Sequence, residues 1–152
     1  MSLASDVVML RSLIKLRELT AARKRAELAA GERSRAAAQA AFDTEDATLR
    51  AHRALWMKRF ESGRLLDPSM LNLFGVEGDR ISERSSDAAT HVQSIDAEVV
   101  ALRSGVREAQ SKVNALDAVR THLDKIQRHE TTMQDLRRLE DRVLSERTDD
   151  AS

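Results

Sequence analysis

Apolar residues recur at heptad spacing along most of the chain, and two segments carry the pattern. In the first, Val7, Ile14, Ala21, Leu28, Arg35, Phe42, Leu49 and Trp56 stand seven apart, and only Arg35 is polar. A column of that length predicts one long helix. Its companion column, Leu3, Leu10, Arg17, Lys24, Gly31, Ala38, Glu45 and His52, is poor beyond its first two members, so the seam reads as one-sided. Ala dominates from 36 to 41, which favours helix and close approach but buries little area. In the second segment Ala88, Val92, Ile95, Val99, Leu102, Val106, Ala109, Val113 and Leu116 alternate steps of four and three without a miss, the signature of a coiled coil. After Leu116 the pattern shifts register through Val119, Leu123, Ile126, Met133, Leu136, Leu139 and Val143, with Glu130 as the polar exception.

Between these segments lie three of the five Gly and the only Pro. Gly63 is placed to end the first helix, and Asp67 before Pro68 reads as a helix cap followed by proline at the first helical position, which predicts a short helical turn there. The expected organisation is a single domain, 1–152, with helix 1 over about 3–62, a connector over about 63–78 and helix 2 over about 79–146. Arms of roughly 90 to 105 Å, at about 1.5 Å per residue, match well enough to fold back on each other. The fold class predicted is therefore all-α, two long helices forming an antiparallel coiled-coil hairpin, with Phe42 opposite the region of Ile95 and Leu28 near Ala109 or Val113. A parallel dimeric coiled coil, serving as a scaffold or adaptor, stays open beside it. The column Val92, Val99, Val106 and Val113 suits two parallel strands, with Glu98 facing Arg103 and Lys112 facing Asp117. The hairpin is preferred because it covers the first stripe without a second chain.

Composition narrows the classes further. Of the 41% apolar residues most are Ala and Leu, aromatic residues are 3%, and so few turn formers rule against a sandwich, a barrel or an α/β fold. Basic and acidic residues are 25 each, which disfavours wholesale nucleic-acid binding. The halves differ in sign, with 13 basic and 9 acidic groups before residue 76 and 12 and 16 after it. There is no Cys, hence no disulfide or thiolate chemistry, in keeping with a reducing cytoplasm. Asp6, Arg11 and Lys15 interrupt the apolar start, no run reaches the length of a membrane span, and no membrane insertion is expected.

No catalytic, cofactor or metal site is expected. His52, His91, His122 and His129 share no ligand spacing, and no phosphate loop, nucleophile elbow or metalloprotease motif occurs. The run Arg23-Lys24-Arg25 reads as a solvated face. Two clusters look suited to partners. One surrounds the connector: Trp56, Phe60, Leu65, Leu66, Met70, Leu71, Leu73 and Phe74, either a plug closing the hairpin or an exposed docking tip. The other is the start of helix 1, where Val8, Met9, Leu13, Leu16 and Leu19 widen the apolar face and require a third helix or a partner.

With two long charged helices, a connector and the opening Leu13-Ile14-Lys15-Leu16-Arg17-Glu18-Leu19-Thr20-Ala21-Ala22, the chain resembles the YscO/FliJ-like stalk proteins of bacterial type III secretion and flagellar export. The resemblance implies a cytoplasmic, non-enzymatic stalk at the secretion apparatus, acting as a single chain. Its terminal end would enter the hexameric export ATPase, its tip would reach the cytoplasmic ring of the export gate, and it would also bind secretion chaperones. Under that resemblance Arg11, Lys15, Arg17, Arg137, Arg138 and Arg142 would meet the ATPase, and Trp56, Phe60, Leu65, Leu66, Leu71 and Phe74 would serve the tip.

Overall fold

The computed structural model describes residues 3–65 and 67–149, with side chains over 5–65 and 67–147; Leu66, expected at the tip, lies outside the described residues. Two helices account for nearly all of them: α1, Leu3–Glu61, and α2, Pro68–Asp149. They pack against each other as an all-α helical hairpin, with no strand among the described residues.

Capping chemistry sets the fold-back point. Ser62 N donates to Lys58 O at 3.1 Å and Gly63 N to Phe60 O at 3.4 Å, while Gly63 takes φ 63°, the left-handed conformation that ends a helix cheaply only at glycine. Four residues later Asp67 Oδ1 accepts from Ser69 N at 3.1 Å and Asp67 O accepts from Leu71 N at 3.0 Å, so α2 starts at Pro68 rather than near 79. The expected connector therefore loses its last eleven residues, 68–78, to the helix. Gly75 and Gly78 cost about 1 kcal/mol each relative to Ala inside a helix, too little to interrupt one already capped at Asp67.

The chain divides into two compact units, one of residues 24–106 and the other of 1–23 with 107–152. In the first, Glu32 pairs with Arg103 at 3.3 Å, Arg35 with Asp96, and Glu45 with Arg84 at 3.7 Å, while His52 lies over Gly78 and Trp56 meets Phe74. Numbers rise on α1 as they fall on α2, so the pairing is antiparallel. The expected register is off by about a heptad. Leu28 packs with Val92 on the cluster of Ala38, Ile95 and Val99, not near Ala109 or Val113, because the shorter connector moves the fold-back point towards Leu65. Val99, which a parallel zipper would need, is 2% exposed in this cluster, and Arg103 and Lys112 pair with Glu32 and Glu108 instead of Glu98 and Asp117.

The companion column on α1 proves to be half of the seam. Ala38 and His52 are buried, and a Cβ on Gly31 would stand 2.7 Å from Leu102 Cδ1, so small residues there admit the α2 side chains.

In the second unit Val7, Ile14 and Ala21 are buried on α1 and Val113 on α2, with Leu116, Arg120, Leu123 and Ile126 half-buried. The expected register shift comes later than Leu116: Val119 is exposed and Arg120 takes the inward position, its long stem tolerating the seam edge, but by Ile126, half-buried where Gln127 is exposed, the shifted column holds. Every residue of α2 from 127 to 147 is exposed.

Candidate functional site

The connector cluster splits into a plug and a rim. Phe74 is the centre of the plug: His52 stacks on it with centroids 4.6 Å apart, Trp56 meets it edge-on at 4.6 Å, and the Arg59 guanidinium stands 5.5 Å from its ring. Leu71 is half-buried on the same face of α2, one turn before Phe74. Trp56 also stacks on Phe60 at 5.2 Å, but Phe60 itself is 62% exposed. The cluster's remaining large apolar groups among the described residues are exposed. Leu65 is fully exposed, and Leu55, Met57, Met70, Leu73 and Val76 are all exposed as well. Of the expected tip residues, then, Trp56, Leu71 and Phe74 hold the two helices together, whereas Phe60 and Leu65 offer surface. An open groove of about 540 Å³ runs beside this rim, lined by Lys58, Arg59, Ser62, Arg64, Leu65, Asp67 and Met70. Three cations against one carboxylate make it suited to an acidic, apolar-flanked partner segment.

The expected ATPase-facing cations all belong to the unit formed by 1–23 and 107–152, and they are not gathered into one cluster. Arg11 and Lys15 are exposed neighbours one turn apart, Arg17 is half-buried on another side of α1, and Arg137, Arg138 and Arg142 are exposed. Arg137 lies about 16 Å along α2 beyond Ile126, the last half-buried position. Arg138 is held loosely by Asp135 at 3.7 Å, an exposed pair contributing well under about 1 kcal/mol.

His52 is the residue that sequence reasoning missed. It is 7% exposed, and its Nε2 has no hydrogen-bond partner, a costly arrangement that the stacking on Phe74 and the missing side chain of Gly78 accommodate. The signal was available in its place at the end of the companion column. His91, His122 and His129 are exposed. Among the described residues no group of three His, Asp or Glu side chains is placed to hold a metal ion, and no helix is long and apolar enough to cross a membrane.

No protein-family model matches the chain, and neither a curated protein nor a solved structure matches it.

Proposed function

We propose that the chain is a non-enzymatic central stalk of a bacterial type III secretion apparatus, coupling the hexameric export ATPase to the export gate and receiving secretion chaperones. One observation carries the reading. Among the described residues no Lys, Arg, Asp or Glu is buried, and around the connector the large apolar side chains Phe60, Leu65, Met70 and Leu73 stand exposed beside Lys58, Arg59 and Arg64. A shaft that works inside a ring needs dispersed charge, which both helices carry, and the apolar stripes at its terminal end, Met9 to Leu16 and Leu136 to Val143, would have to be covered or to lie outside the ring. A gate-docking element needs exposed apolar surface, and Phe60, Leu65, Met70 and Leu73 supply it beside a basic groove.

In this reading Arg11, Lys15, Arg17, Arg137, Arg138 and Arg142 meet acidic loops of the ATPase, and the protein acts in the cytoplasm, at the inner face of the apparatus. The test is ATPase turnover with the purified chain added. The chain is expected to raise turnover, and the variant with Arg11, Arg17, Arg137 and Arg138 all changed to Glu is expected to lose that effect while keeping its helicity. Equal stimulation by a fully helical variant sinks the assignment of these cations. A parallel scaffold through Val92 to Val113 is the weaker reading, since Val99 already packs on Ala38 of α1.

A further inference from the structure

Within the unit formed by 1–23 and 107–152 two apolar stripes are left uncovered. On α1, Met9, Leu13 and Leu16 are spaced four and three apart and are 59%, 42% and 64% exposed, on the side of the helix away from the buried Val7, Ile14 and Ala21. Thr20 continues the stripe one turn on. On α2, Leu136, Leu139 and Val143 are spaced three and four apart and are about half exposed, and Thr132 precedes them by one turn. Every residue of α2 from 127 to 147 is exposed, so this stretch has no tertiary packing within the chain, the main source of helix stability in proteins.

We propose that each stripe is covered by the other stripe of a second copy of this chain. The two have the same heptad phase, so an offset of 123 residues superposes every layer in parallel orientation. Thr132 falls beside Met9 of the second copy, Leu136 beside its Leu13, Leu139 beside its Leu16 and Val143 beside its Thr20. The flanking position Asp135 then faces Arg17 across the seam, an attractive pair. Net charge agrees: residues 3–23 carry four basic and two acidic groups, and 129–149 carry four basic and six acidic.

The direction of the helices agrees as well. When two copies meet with these ends together, the last part of α2 in one runs the same way as the first part of α1 in the other. A twofold axis makes the contact twice, which is what a self-complementary dimer requires. Two such seams bring the interface towards the size of a stable one, for which about 1,200 Å² is a lower bound, where a single seam of four layers would fall short. This dimer does not rest on the stalk reading. If both hold, it hides the surface assigned to the ATPase and must separate before that surface is used.

Sedimentation equilibrium of the full chain tests it over a range of concentrations. A dimer is expected, and Leu139→Asp and Leu16→Asp should each weaken it at least about tenfold, since each places a charge at a buried leucine layer. Asp135→Arg should weaken it less, and Arg17→Asp in the same chain should restore it. Val100→Asp, exposed on the other unit, should change nothing. Because the chain lacks Cys, a Leu13→Cys chain mixed with a Leu136→Cys chain under mild oxidation should give mainly the mixed disulfide. A chain monomeric throughout, a dimer indifferent to Leu16→Asp, or disulfides joining 136 only to 136 would each overturn the proposal. ATPase stimulation is not the readout, so loss of the stalk reading leaves this result intact.

Discussion

A Cβ placed on Gly78 would lie 2.9 Å from Cε1 of His52, and the His52 ring has Phe74 stacked 4.6 Å away on it. The ring therefore has little room to yield. Gly78→Ala gains about 1 kcal/mol of helix propensity but forces overpacking that costs about 1–3 kcal/mol, so a net destabilisation is expected, about 1 kcal/mol. Gly75 has nothing within 4 Å of its Cβ position, and Gly75→Ala should stabilise by up to about 1 kcal/mol. Thermal unfolding followed by circular dichroism should show opposite shifts of about 2–4 °C per kcal/mol for the two variants. Shifts of the same sign would show that His52 does not occupy the space above Gly78.

His52 yields a second expectation. Its Nε2 is buried without a partner, so replacing the imidazole by an apolar group of similar size removes a desolvation penalty of about 1–3 kcal/mol. His52→Leu should raise stability in urea by about 1 kcal/mol after the lost stacking on Phe74 is subtracted. A large loss of stability would mean that the ring makes a polar contact that holds the seam.

Arg35–Asp96 and Arg103–Glu32 fix the register of the connector unit at two neighbouring levels of the seam. Both pairs are about half exposed, and each contributes no more than about 1 kcal/mol. Arg35→Glu places two carboxylates together and should destabilise by about 1 kcal/mol, and Asp96→Arg in the same chain should recover most of it. If the double variant is no better than the sum of the single ones, the two helices are not in this register.

At the connector, plug and rim should separate by experiment. Phe74→Ala removes the ring shared by His52, Trp56 and Arg59 and should cost about 3 kcal/mol. Leu65→Ser and Phe60→Ser should stay within about 1 kcal/mol of the parent and, on the proposed function, should abolish binding to the gate ring. Gate binding that survives both changes in a folded chain would remove the rim from the docking surface.

Both helices and the all-α class were legible in the periodicity, because a heptad column of aliphatic residues has few other uses. Val99 and Ile95 fell in the core where the spacing put them. The register was less legible. Gly75 and Gly78 read as breakers, and only the structure shows that a helix capped by Asp67 runs through them, with Gly78 taken up by a histidine on the opposite helix. The companion column looked poor because Gly31, Ala38 and His52 are not large aliphatic residues. In a tight seam small residues on one helix are what admit large ones from the other. The stripe from Leu136 to Val143 was visible as periodicity, but whether α1 covers it could not be read from spacing alone.

The chain folds back between Ser62 and Asp67, and a distance across the pair of helices tests that most directly. Spin labels on Arg33 and Val100, both exposed, would be read by pulsed electron resonance in chains diluted with unlabelled protein. The antiparallel register predicts a single narrow distribution at about 20 Å, the helix spacing plus the label arms. Were the chain instead one extended helix in a parallel pair, the same residues would stand roughly 100 Å apart at about 1.5 Å per residue, and no short distance would be seen. That result would contradict the hairpin and both proposals built on it.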